Sequence, residues 1–153
     1  MGLNIQDLKI WSPAFDNGGR MDSKYARDGE DVSPPLQWSG VPDDAVELAI
    51  IVHDPDAPLP YGFCHGVLTG IPADVTEIPE DGGNEYTGGH NDFGDTGYGG
   101  PAPPPGHGPH HYYFWIYALD TNVDDGPLSR REFLDKYGDN IIEQNRTIGV
   151  YEN

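Results

Sequence analysis

The chain holds a single cysteine, Cys64, so no disulfide can form within it and nothing points to an oxidising compartment. Cations are scarce as well: 8 Lys and Arg face 26 Asp and Glu, a formal net charge of −18. A surface of that sign repels phosphate backbones and anionic bilayers, which sets aside nucleic acid and stable membrane insertion as partners. Long apolar runs are missing too. No stretch approaches the roughly 20 apolar residues of a membrane span, and the N-terminal region carries no run like a signal-peptide core. A cytoplasmic protein is expected.

Against these shortages stand 3 Trp, 9 Tyr and 5 Phe, too many for the disordered chain that so much acid would otherwise suggest. A length of 153 residues fits one domain, 1–153, with a hydrophobic core of its own. The excess of acid suggests adaptation to concentrated salt, because the Debye length shrinks to about 3 Å at 1 M and self-repulsion is screened there.

The strongest strand signal is Val46 to His53, β-branched, mostly apolar and bounded by turn residues. Phe63 to Ile71 and His111 to Leu119 are further strands, the latter with aromatics on both faces and so expected to be covered on both sides. Shorter candidates are Leu8–Trp11, Leu36–Trp38 and Thr147–Tyr151. Many short strands between Gly/Pro turns argue for an all-β sandwich or barrel. One helix is marked by a capping box at Ser129 and Glu132, an apolar stripe of Phe133, Leu134 and Tyr137, and Gly138 at its end. A weaker helical turn is expected around Ile141 to Gln144. Between the second and third strands lies Asp81 to Gly108, with ten glycines and four prolines and no periodicity. A loop that long in a compact domain is usually functional or disordered. Its proline run ends just before the histidine-bearing strand, which favours an ordered pocket rim.

Two runs carry the chemistry. Asp54 and Asp56 precede or flank prolines that force an extended chain, and positions two apart then share a face. Turn aspartates at a strand end read equally well from spacing alone. His65 lies in an apolar run, where a satisfied core histidine is the commoner case. His110 and Tyr112 share strand parity, with His111 and Tyr113 on the other face. An imidazole and a phenol opposite two carboxylates can bind an anion: a carboxylate accepts from one ring nitrogen and fixes the tautomer, leaving the other to donate. Cys64 neighbours His65, yet adjacent strand residues diverge, so a buried, inert thiol is expected rather than a nucleophile. His107, His110, His111 and His90 invite a metal reading, but the spacing matches no zinc pattern. No phosphate loop or dinucleotide fingerprint is present, and no cofactor is expected.

Three segments together resemble the phosphatidylethanolamine-binding protein family. They are Asp28-Gly29-Glu30-Asp31-Val32-Ser33-Pro34-Pro35-Leu36, then Asp54 to Pro58 with His65, and then Gly100 through Tyr112. The likeness runs from about Leu8 to Tyr151 and is nearest to the short bacterial and archaeal branch, often called Raf kinase inhibitor-like. It implies a Greek-key antiparallel β-sandwich with one or two short helices near the C-terminus and a small pocket at one end. In that family the pocket takes phosphate-bearing head groups and small anions such as acetate, and is not regarded as catalytic. Members are described as inhibitors of kinases or proteases. Carried over, Asp54 and Asp56 form the acidic pair, His65 and His110 the imidazoles and Tyr112 the phenol. Gly100 lies on the rim, and Phe63 forms an aromatic wall. The chain departs from the pattern at His111, where an arginine is usual, and at Gly66, where a tryptophan is usual. The function expected is therefore a non-catalytic binding or regulatory protein for a small anion or phosphorylated head group, with a kinase or protease as a protein target. The alternative is an enzyme using the Asp/His/Tyr group for acid–base work. A homodimer is left open.

Overall fold

The computed structural model describes residues 6–153. Nine strands and one α-helix follow one another: β1 (Lys9–Trp11), β2 (Gly19–Arg20), β3 (Leu36–Ser39), β4 (Glu47–Asp54), β5 (Phe63–Pro72), β6 (Glu77–Ile78), β7 (Thr87–Gly88), β8 (His110–Leu119), α1 (Arg130–Tyr137) and β9 (Ile141–Tyr151). They form a sandwich of a six-stranded sheet, in the order β2-β9-β8-β4-β5-β7, and a three-stranded sheet, β1-β3-β6.

β4 is buried at every residue because both of its faces are covered, which is why it reads as a continuous apolar run rather than an alternating one. On the inner side Ile50 and Val52 meet Leu36, Trp38 and Ile78 of the small sheet, with Phe114 and Ile116 of β8. On the outer side Ala49 and Ile51 join Cys64, Val67 and Tyr117 beneath Phe133 and Tyr137 of α1. After the long segment that follows β5, the chain returns in β8 to pair with β4 and not with its predecessor, a crossover of Greek-key type. All pairings of the large sheet are antiparallel save one: β2 runs parallel to β9, Gly19 opposite Gly149 and Arg20 opposite Val150.

The capping box forms as expected, with Ser129 Oγ accepting from Glu132 N at 3.1 Å and Glu132 Oε1 from Ser129 N at 2.9 Å. Gly138 is not a left-handed stop. Its φ of −53° and ψ of −39° carry the chain on into a short 3-10 turn at Gly138–Asn140. The helical turn expected at Ile141 to Gln144 is instead the start of β9, paired with β8 from Ile141 opposite Leu119. A long partner strand outweighs weak local preference there. The cover expected on both faces of β8 holds for half of the outer face. α1 shields Tyr117 and Leu119, whereas Tyr113 and Trp115 stay half-buried, stacked 6.1 Å apart beneath the Arg146 guanidinium.

Residues 81–108 contain only β7 as a named strand but are tied down along their length. Gly89 N donates to Val67 O, Gly99 N to His65 O, and Pro101 O accepts from Arg27 N. These bonds lay the segment across the end of the sheet where β4 finishes and β5 and β8 begin.

Candidate functional site

Antiparallel pairing brings one end of β4 beside the starts of its two neighbours, with Asp54 opposite Phe63 and His53 opposite Tyr113. Alternation then sends Phe63 and His65 of β5, and His110 and Tyr112 of β8, to the same side as Asp54. Four polar groups buried to 3% exposure or less, Asp54, His65, His110 and Tyr112, converge there.

Asp54 closes β4 and accepts twice. Its Oδ2 takes the His110 Nδ1 hydrogen at 2.6 Å, and its Oδ1 takes Asp56 N at 2.8 Å, an Asx turn over Pro55. Asp56 does not share that face. Extended alternation stops at Asp54, and the turn that follows swings the Asp56 carboxylate to the outer side of β8. There its Oδ2 accepts from His111 N at 2.8 Å and His111 Nδ1 at 2.7 Å. Burial would raise the Asp56 carboxyl, but the His111 side-chain and backbone hydrogen bonds together hold it below its ordinary value. The expectation of two carboxylates pointing one way is thus corrected: Asp54 belongs to the cluster, and Asp56 clamps the turn to β8. His111, standing where the resemblance leads one to expect arginine, supplies that clamp.

His65 donates from Nδ1 to the Gly99 carbonyl at 2.8 Å. Burial depresses its basicity, partly opposed by the Gly99 carbonyl and the Asp54 charge, and the neutral ring is favoured. His110 presents Nδ1–H to Asp54, and its Nε2 lies 2.7 Å from Nδ1 of His107. A neutral ring that donates from Nδ1 carries a lone pair on Nε2, so the far nitrogen donates only when the ring is protonated. The donor expected on the far nitrogen of each histidine is corrected accordingly. Tyr112 packs edge-on to His65, ring centroids 5.1 Å apart, and stacks on His110 at 6.4 Å. Its Oη is buried and has no hydrogen-bond partner among the described residues. Burial, with the charges of Asp54 and Asp56, pushes this phenol far up, so it keeps its proton.

The walls are aromatic. Phe63 meets Phe93 at 4.6 Å and His65 at 4.8 Å, and the Arg27 guanidinium covers the Phe93 ring at 3.8 Å. On the rim, Gly100 N donates to Asp31 Oδ1 at 2.7 Å. Any side chain at Gly100 is excluded, since a Cβ there would stand 2.0 Å from the Tyr25 carbonyl oxygen. Among the described residues no Lys or Arg hydrogen-bonds or ion-pairs with Asp54, His65, His110 or Tyr112, and the Arg27 guanidinium comes up only to the Phe93 ring of the wall.

The structure therefore brings together Asp54, Phe63, His65, Gly100, His110 and Tyr112, and holds Asp56 one layer outward. Reading the residues missed His107, Phe93, Gly99 and Asp31 as parts of the site. The spacing of His107 to His110 was the only available signal, and it pointed equally to metal. Phe93 and Gly99 sit in a segment without periodicity. Cys64 lies on the opposite face, as alternation requires, with burial pushing its thiol up to about 11.

Comparison with known proteins bears on the family and the fold. The family model described as phosphatidylethanolamine-binding protein matches residues 11–152. A UPF0098 protein of Pyrococcus horikoshii is 42% identical, with 99% of this chain and 79% of the relative covered. A Chlamydia trachomatis crystal structure described as a homolog of phosphatidylethanolamine-binding protein superposes with a TM-score of 0.89 at 32% identity, covering 98% of this chain and 99% of the other. Escherichia coli YbcL, described as a member of the mammalian family of the same name, gives 0.89 and 32%, with 97% and 99% covered.

Proposed function

This chain belongs to the phosphatidylethanolamine-binding protein family, and from that premise we propose that it is a non-catalytic binding protein whose Asp54–His65–His110–Tyr112 cluster holds a small anionic group, a phosphate or a carboxylate. The observation that carries this reading is the Tyr112 hydroxyl, buried and unpaired at the centre of the cluster. An unpaired buried hydroxyl costs stability, and natural folds rarely keep one without a use. A guest oxygen accepting from Oη would satisfy it. Asp54 orients His110, Phe63 and Phe93 exclude water from one side, and the rim at Gly99 and Gly100 shapes the mouth.

Binding is favoured over catalysis because, among the described residues, no activated nucleophile faces the cluster. The Cys64 thiol is buried on the far side of the sheet and pushed up to about 11, and the Tyr112 phenol is held protonated. The reading is tested by titration of the full chain with inorganic phosphate by calorimetry in molar KCl. Wild type is expected to bind and His110→Ala to bind at least tenfold more weakly. Equal affinities would remove the cluster from the function. A screen of hydrolase and phosphatase substrates, with His65→Ala as control, checks the acid–base alternative.

A further inference from the structure

We propose that the guest of this cluster is an oxyanion that still carries a proton, such as an acid phosphate group, and that it donates that hydrogen to Nε2 of His65. The inference rests on the anion-binding reading above and narrows it to one chemical class.

The argument begins at Gly99. A carbonyl oxygen has no hydrogen to give, so the 2.8 Å contact between Gly99 O and His65 Nδ1 places the hydrogen on Nδ1. The neutral ring then carries its lone pair at Nε2. His110 offers no compensating donor: its Nδ1–H belongs to Asp54, and its Nε2 is already paired with His107. What the cluster has left to give is one hydroxyl hydrogen, from Tyr112, and the lone pair that the Gly99 bond leaves on Nε2 of His65.

Sulfate or a phosphodiester offers acceptors alone. Such an ion satisfies Tyr112 but sets an anionic oxygen against the His65 lone pair. The clash is relieved only by protonating a ring whose burial opposes it. An acid phosphate offers both functions: an oxygen that accepts from Tyr112 Oη, and a P–O–H that donates to His65 Nε2. The charges around His65 argue in the same direction. Around it stand the Asp54 carboxylate at the end of β4, Tyr112 of β8, the rings of Phe63 and Phe93, and the backbone carbonyls of Gly99 and Gly100, while His53 acts on it only through space from the other face of β4. With one carboxylate in this group and no Lys or Arg bonded to it, each negative charge that a proton removes from the guest eases its entry.

The test is calorimetric titration of the full chain at pH 7.5 in molar KCl with inorganic phosphate, which keeps a P–O–H at that pH, and with sulfate, which has none. Phosphate is expected to bind at least about tenfold more tightly, the penalty for leaving buried polar groups mismatched. Sulfate binding as tightly as phosphate would overturn the proposal while leaving the anion-binding reading intact. Binding of neither would overturn that reading itself. His65→Gln, which can turn an N–H toward the guest where the imidazole turns a lone pair, is expected to bring the two affinities within threefold. A readout independent of any variant is the 15N spectrum of the wild-type phosphate complex. Nε2 of His65 is expected to be unprotonated and hydrogen-bonded, and a protonated Nε2 would refute the assignment.

Discussion

Replacing Tyr112 with Phe separates folding from binding at a single oxygen atom. The ring is 1% exposed and packs on His65 and His110, and Phe keeps that packing. What is lost is a hydroxyl that has no partner among the described residues. Stranding a buried donor costs about 1–3 kcal/mol, so its removal is expected to stabilise the free protein by about 1–2 kcal/mol, allowing for relaxation around the site. For a chain of this size each kcal/mol moves the melting temperature by about 2–4 °C, which predicts a rise of about 2–8 °C in buffer free of oxyanions. Phosphate then reverses the ranking. At a hundred times its dissociation constant a ligand adds about 2.7 kcal/mol to the state that binds it, and that increment belongs to the wild type alone. Thermal unfolding of both proteins, with and without phosphate, reads all four values. A variant that melts below the wild type without phosphate would show that the hydroxyl is structurally satisfied. A gap that phosphate leaves untouched would take the hydroxyl out of the site. Either result refutes the reasoning.

Three further outcomes follow from the same contacts. Asp54→Ala strands the buried His110 Nδ1–H and frees the part-buried Asp56 amide, and is expected to cost about 1–3 kcal/mol in urea unfolding; a loss below about 0.5 kcal/mol would be too small for a stranded buried donor. Cys64 is expected to resist iodoacetamide at pH 8 until the protein is denatured. Because burial raises its thiol from 9.0 to about 11, the folded chain holds that proton longer than the unfolded one. The thiol's contribution is thus constant at lower pH and falls as the pH climbs from about 9 to about 11. The net charge of −18 predicts a melting temperature that rises from dilute to molar KCl, and a flat curve would show that the acid surface is not an adaptation to salt.

Much of this site was legible because side chains alternate along a strand. Counted from its first residues, β5 sends His65 to one face and Cys64 to the other, and β8 does the same with Tyr112 and His110 against His111; the register shift beside Gly66 then puts Val67 on the face of Cys64, which alternation alone does not foresee. The rule fails where the strand does. Asp56 looked like a second pocket carboxylate only while the extended chain was carried two residues past Asp54. His107 was invisible as a partner of His110 because its position depends on turns at Gly106 and Gly108, whose φ values of 76° and 92° leave no pattern in the neighbouring residues. β6 and β7 have two residues each, too few to show any period, and exist because β3 and β5 offer them an edge. At Ile141 to Gln144 the local preference was weak and the partner strand decided.

The bond from Gly100 N to Asp31 Oδ1 has a reach that its 2.7 Å does not suggest. Asp31 holds a left-handed backbone, φ 58°, to make it, and Gly99, whose oxygen sets the His65 tautomer, is the very next residue along the rim. The side of His65 that offers a hydrogen and the side that offers electrons are thus tied to a loop sixty-nine positions away. Loosening that one anchor would change the hydrogen-bond character of His65 without altering any residue that touches its ring.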